Sequence, residues 1–358
     1  NNPWPTQNTR NRISSNEGIT DPHLVSTYSI SGGYISSPIV LSNDENYYYF
    51  YFYNQTDYKT YLNRVSKSGS LDWSVEIGDV RGGAPLVLDA KDYDNNKNDL
   101  ILVQKYDGII AFFDDGTKYN ETADESELDK MSDNFMDVNT NGDVIFSSQQ
   151  TASDAFYYIN KKDIGNLDAE GERDLISKQS DNTALNDSEI ECSVTTDIDG
   201  YSYSVIGGKL LIYNENFQQV LNYDHNYLQS IYSSHITVGA NNTLYIASYA
   251  QSNQHDFTSP MGNVLKIKLN SDRTQVLNAV MISENGDPSS NTPYVHSQIA
   301  VDNEGNAYFN TGRFIYDTGG YAGEETGRLL KLDINNNVET LYISPNEESF
   351  LQPPTITI

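Results

Sequence analysis

The feature that most constrains this chain is an internal repeat that lies over itself without a gap. Residues 24–38 align position for position with residues 71–85, each segment ending in proline, and each is followed by a short apolar strand, Ile39-Val40-Leu41 or Leu86-Val87-Leu88. A repeat of about 47 residues holding several short strands is too long for most solenoid units and suits a four-stranded propeller blade. Further inner strands are predicted to start near positions 135, 192, 236, 299 and 354, which with 38 and 85 makes seven starts at spacings of roughly 44–63 residues.

Turn chemistry between the starts agrees with this reading. Asn43-Asp44-Glu45-Asn46, Asn139-Thr140-Asn141-Gly142, Asp197-Ile198-Asp199-Gly200, Ala240-Asn241-Asn242 and Asp302-Asn303-Glu304-Gly305 each follow an inner strand. Asn, Asp and Gly tolerate the positive φ that tight hairpins demand. No stretch repeats its apolar residues at helical period; the nearest candidate, residues 125–131, reads as an insertion of about one helical turn. The expectation is therefore an all-β chain: an N-terminal segment, 1–23, and a single β-propeller over 24–358, most simply seven-bladed with the last blade incomplete. In that scheme residues 24–30 form the outer strand of a blade whose innermost strand is 354–358, and its middle strands are missing. Either the polypeptide continues past Ile358 or another subunit donates the strands, which would make the chain a self-assembling unit.

Composition excludes several partners. Fifty Asp and Glu against 22 Lys and Arg leave a formal charge of −28, a field that repels phosphate backbones and anionic lipid. Neither nucleic-acid binding nor membrane insertion is expected, and no window approaches the ~18–20 apolar residues needed to span a bilayer. The single cysteine, Cys192, rules out an internal disulfide and reads as a core thiol within an apolar run. The first residues, Asn1-Asn2-Pro3-Trp4, look like those of a processed export product, and acceptor sequons stand at Asn54, Asn120, Asn186 and Asn241. These point to an extracellular, cell-surface or periplasmic glycoprotein.

Residues Ser68-Gly69-Ser70-Leu71-Asp72-Trp73, together with the opening Trp4-Pro5, resemble the quinoprotein-like propeller family, which includes quinone-dependent alcohol dehydrogenases and a bacterial outer-membrane assembly lipoprotein. In that family the blade signature ends in a Trp that docks between neighbouring blades. Here Asn63 and Val65 replace its Ala and Asp, and a weaker echo places Asn337 in the glycine position and Leu341 in the Trp position. The family's dehydrogenases use a vicinal cysteine pair over the quinone, a Ca²⁺ ion and an Asp base. With Cys192 alone the pair cannot form, so no quinone cofactor is expected.

Three constellations remain. Asp92, Asp94, Asn96 and Asp99 alternate hard oxygens along one loop, as a structural Ca²⁺ with its 6–8 ligands would require; the alternative is a polar hairpin. The five histidines have no metal-type spacing, and the pairs Glu324-Glu325 and Glu347-Glu348 read as solvated charge. Tyr47 to Tyr53 is aromatic throughout, so alternation puts Tyr47, Tyr49, Tyr51 and Tyr53 on one face and Tyr48, Phe50 and Phe52 on the other. Packing between blades accounts for two aromatic faces, and surplus tyrosine supplies contact area for a partner. The sequence thus points to a noncatalytic scaffold or binding module for protein or glycan, with segments 251–260 and 317–326 as rim loops. The alternative is a polysaccharide hydrolase or lyase with carboxylates and histidines gathered at a central channel.

Overall fold

The computed structural model describes residues 31–343 apart from 38, 79, 81–82, 106–107, 122–135, 151–152, 167–172, 181–190, 193, 207, 229–232, 250–263, 283–293, 296–298, 303 and 318–319. Among the described residues the chain is all-β, its only helical turns being three short 3-10 segments. The described residues divide into two compact units, one up to residue 178 and one from residue 179.

In the first unit, sheet one runs Val40–Leu41, Tyr47–Asn54, Lys59–Ser66 and Leu71–Glu76, with Gly33–Ile35 as a second piece of its inner strand. Sheet two is Leu86–Asp89, Asp99–Gln104, Ile109–Phe113 and Lys118–Glu121; sheet three is Asp137–Val138, Val144–Gln150, Ser153–Ile159 and Arg173–Ser180. In the second unit, sheet four is Val194–Thr196, Ser202–Ile206, Lys209–Tyr213 and Gln219–Asp224. Sheet five is Ser233–Gly239, Thr243–Tyr249, Val264–Leu269 and Val276–Ile282, with Glu191–Cys192 joined in parallel to its inner strand. Sheet six is Ala300–Val301 with Tyr294–Val295, then Ala307–Asp317, Gly320–Leu332 and Val338–Ile343. Each sheet is a four-strand antiparallel meander in chain order, the blade unit of a β-propeller.

Strand alternation explains how consecutive blades stack. In sheet two Leu86, Leu88, Leu100 and Leu102 join one core with Val138, Val144 and Phe146 of sheet three. Their neighbours Val87, Ile101 and Val103 join a second core with Tyr49, Tyr51 and Leu62 of sheet one. One strand therefore feeds two cores, because successive side chains leave a sheet on opposite faces. The aromatic strand behaves as its alternation predicts: Tyr49 and Tyr51 pack toward sheet two, while Phe50 and Phe52 join Val65 in a separate cluster. Sheets four and five share a core through Tyr203, Ile212, Leu244 and Leu265, and sheets five and six share one through Tyr245, Val264, Phe309 and Leu330.

A single turn design recurs. In 139–143, 197–201, 214–218, 302–306 and 333–337 the first residue's amide bonds the fifth carbonyl and the fourth amide bonds the first carbonyl. The fourth residue, Gly142, Gly200, Phe217, Gly305 or Asn336, is left-handed. This is the type I turn with a left-handed bulge residue that joins twisted strands. The first residue's side chain caps the turn, as Asp197 does for the amides of Asp199 and Tyr201 and Asp302 for those of Glu304 and Asn306.

Of the seven expected inner strands, six coincide with observed ones to within a few residues. The seventh, at 354–358, lies outside the described residues with segments 24–30, 125–131 and 251–260. One expected loop is not a loop: strands run to Asp317 and resume at Gly320, paired at Phe314 with Glu324 and at Tyr316 with Tyr321. The Gly and Thr content of 317–326 reads as loop locally, yet its one aromatic, Tyr321, pairs with Tyr316 once the two strands are aligned.

Candidate functional site

The family-like tryptophan shows how two blades are locked. Across sheet one Tyr49, Arg64 and Trp73 stand side by side in adjacent strands. Trp73 Nε1 donates to the Asp114 carbonyl at 2.8 Å, in the outer hairpin of sheet two. Its indole lies so close to Gly116 that a Cβ there would stand 3.1 Å from it. The Arg64 guanidinium donates to the same carbonyl, stacks 3.5 Å from the Tyr47 ring centroid and pairs with Asp72 at 3.2 Å. Asn120 repeats the device one sheet on, donating Nδ2 to the Gly165 carbonyl at 2.7 Å.

Sheet five carries the same register with different side chains. Tyr245, Lys266 and Val280 face one another across its strands, and the next sheet's outer hairpin, 333–337, has the hydrogen-bond pattern of 113–117. Ile334 therefore stands where Asp114 does, and Asn336 where Gly116 does. Val280 is far smaller than an indole, and between sheets five and six a cavity of about 380 Å³ remains open, within the size range of small-ligand sites. Its walls are Thr243, Tyr245, Lys266, Lys268, Asn278 and Val280 on one side and Glu304, Gly305, Ile334 and Asn336 on the other, with Ala240 and Asn241 at the rim.

The polar groups of this groove are placed by backbone. Lys266 and Lys268 alternate on one strand and so share a face. Lys266 Nζ donates to the Ile334 carbonyl at 3.1 Å and to Asn336 Oδ1 at 2.8 Å, and Lys268 Nζ donates to the Asn241 carbonyl. Burial holds the Lys266 ammonium below its ordinary pKa; the Asp333 charge opposes this and that of Lys268 adds to it. Tyr245 is buried beneath, its hydroxyl donating to the Gly305 carbonyl at 2.9 Å and pushed up to about 12 by burial and the Asp302 charge.

The four residues singled out for calcium are engaged by partners within the protein. Asp92 pairs with Lys161 Nζ at 2.5 Å, and Asp94 accepts from the Asn96 amide at 2.8 Å and from Asn96 Nδ2 at 3.1 Å. Asp99 is buried, taking the Asn43 amide at 3.0 Å and the Tyr49 hydroxyl at 2.7 Å. Burial lifts its pKa above the usual carboxylate range against those two bonds. The set as arranged does not fit a calcium ion, because an ammonium sits on one carboxylate and another is consumed as the acceptor that locks sheet one to sheet two. No group of three or more His, Cys, Asp or Glu side chains converges on a metal position among the described residues.

Other sequence candidates resolve in the same way. Asp197 accepts from Tyr203 Oη at 2.6 Å and pairs with the buried Arg273 at 3.0 Å, which also reaches Asp199 and covers the Tyr201 ring. Leu341, the echo of the docking Trp, is exposed at a register shift between its neighbours' pairings. Of the sequon residues, Asn241 stands exposed on the groove rim, whereas the Asn120 amide is spent on Gly165. His225 Nδ1 accepts the Tyr227 amide at 3.2 Å. Sequence reasoning passed over Lys266 and Lys268; the available signal was the alternation of Val264-Leu-Lys-Ile-Lys-Leu269, which puts two cations on one face in a chain poor in them.

No protein-family model matches the sequence, and no curated protein matches it. Solved structures resemble it at the level of fold. A protein of unknown function from Bacteroides caccae is 12% identical, with 80% of this chain and 91% of that one covered at a TM-score of 0.43. A quinoprotein alcohol dehydrogenase-like protein from Bacteroides thetaiotaomicron is 13% identical, with 86% and 65% covered at 0.48. The WD40 domain of Neurospora crassa Pan2 is 13% identical, with 89% and 91% covered at 0.44. At these identities no residue role carries over to this chain.

Proposed function

We propose that this protein is a noncatalytic binding module acting outside the cytoplasm, and that it holds a polar ligand, a glycan or a polar protein segment, in the groove between sheets five and six. The observation that supports this most directly is the groove's lining: three amides, two hydroxyls and two ammonium groups beside aliphatic side chains, with Glu304 as its one carboxylate. Glycoside hydrolysis by acid–base chemistry uses two carboxylates across the scissile bond, and the groove has one. The buried carboxylates of the described residues are engaged instead as turn caps and blade locks, Asp99 and Asp197 among them. A few fixed polar groups on a mostly apolar wall orient a ligand without transforming it.

Labelled protein applied to arrays of oligosaccharides and polar peptides tests this reading, with Val280→Trp as the matched control that fills the groove as Trp73 fills its counterpart. Retention by the array and its loss in the variant are expected. Release of shortened or unsaturated oligosaccharides by the protein would overturn the noncatalytic reading, and undiminished retention by the variant would overturn the groove as the site.

A further inference from the structure

The two groove lysines differ from most other cations among the described residues in what they touch. Lys59, Lys97, Lys105, Lys161 and Arg273 each lie within salt-bridge distance of a carboxylate. Lys266 and Lys268 bond only neutral oxygens: two carbonyls and one side-chain amide. In a chain with 50 acidic residues, two neighbouring ammonium groups with no carboxylate in salt-bridge contact place an excess of positive charge at one cavity, against Glu304 in its lining and the more distant Asp333 charge. Lys266 gives two of its three N–H groups to protein and Lys268 one, so three donors are left for a ligand.

The shape narrows the ligand further. In the first unit the matching slot takes a flat ring, the indole of Trp73, against the outer hairpin of the next sheet. In the second unit the slot is empty of any side chain of that size, its aliphatic lining is Val280 and the exposed Ile334 with Ala240, and Asn241, Asn278 and Asn336 line it with amides that both donate and accept. A ring carrying hydroxyls satisfies such amides, and an anionic substituent on that ring meets the lysines.

Resting on the groove reading above, we infer that the ligand is an acidic saccharide: a sugar ring bearing a carboxylate or a sulfate ester, whose anionic group is held by Lys266 and Lys268. Lys268 bonds Asn241 on its own sheet, and Lys266 reaches the sixth sheet at Ile334. The anion therefore meets the face of sheet five that carries both lysines, where Asn278 pairs with Lys268 across the strands.

Titration calorimetry with three probes tests the inference: a uronate-containing oligosaccharide, its carboxyl-reduced neutral counterpart, and a sulfated oligosaccharide of the same length. Binding of one or both acidic probes is expected, weaker by about tenfold or more for the neutral one, because a charge-assisted hydrogen bond is roughly twice as strong as a neutral one. The uronate and sulfate arms say which anion is preferred. Lys268→Gln, which keeps the stem and removes the charge from an already half-exposed position, should erase most of the difference between acidic and neutral probes. Equal affinity for acidic and neutral saccharides, lost in Val280→Trp, would overturn the acidic class while leaving the groove as the binding site. Binding that survives Val280→Trp would overturn both, and capture of an acidic peptide in place of every saccharide would overturn the sugar.

Discussion

Trp73 and Val280 stand at the same place in two sheets of matching register, one on each side of the chain's midpoint, and the two junctions they face end differently. At the first, the indole fills the slot against Gly116 and the Asp114 carbonyl takes its N–H. At the second, an isopropyl group leaves about 380 Å³ open, and the Ile334 carbonyl is taken by Lys266 instead. The backbone device is shared: a buried tyrosine that reaches the next sheet's inner hairpin, a cation on the next strand, and an outer hairpin offering a carbonyl. Side-chain volume alone turns a structural lock into a cavity. A repeat fold can therefore acquire a site by omission, since the neighbouring blades keep the walls in place.

The largest expected effect is at the filled junction. Trp73→Ala should cost about 3 kcal/mol in urea unfolding, since it removes a half-buried ring and its hydrogen bond, whereas Val280→Ala beside the open groove should cost under about 1 kcal/mol. Trp73→Phe keeps the packing and forgoes the N–H, at about 1 kcal/mol. Equal losses for Trp73→Ala and Val280→Ala would break the contrast. The next effect compares the outer hairpins. Gly116 is left-handed at φ +81° with the indole above it, so Gly116→Ala should cost about 1–2 kcal/mol. Its counterpart Asn336, left-handed at φ +71°, carries a side chain that holds Lys266. Asn336→Gly trades that contact for relief of backbone strain and should leave stability within about 0.5 kcal/mol; a loss as large as that of Gly116→Ala would show the second junction to be packed as tightly as the first.

The smallest effect is a matter of sign. Lys266 has a folded pKa below its ordinary 10.5, so the folded chain releases that proton more readily than the unfolded one. Stability then rises with pH between the folded value and 10.5, and the charged form is a cost below that window. Lys266→Met should therefore be slightly more stable than the parent at neutral pH, with the margin shrinking as pH approaches 10.5. The half-exposed ammonium keeps the effect small. A margin that grows with pH would show that the protein holds the charge by stabilising it.

Much of the architecture was legible in the residues. The gapless repeat, the Asn, Asp and Gly turns and the two aromatic faces of Tyr47 to Tyr53 are local patterns, and local backbone sterics and strand alternation translate them directly into blades. The single docking Trp was legible too, because its motif lies within one hairpin. Less was legible of the calcium loop. Asp92, Asp94, Asn96 and Asp99 alternate convincingly in sequence, but Asp92 meets Lys161 and Asp99 meets Tyr49, partners 69 and 50 positions away in the chain. A metal-like spacing says where oxygens can go and nothing about which cations and hydroxyls compete for them.

The groove lies beyond any reading of one strand. By itself the sequence determined that sheet five has a short apolar residue at 280 and two lysines on one face, and that hairpin 333–337 turns through Asn336. Only the tertiary structure decided that these belong to one place, because stacking of successive sheets brings Lys266 to Ile334, 68 positions away in the chain. Pairing within a blade is encoded by turn length and alternation; contact between blades depends on the summed volumes of two facing sheets, a property that neither sheet's sequence contains alone.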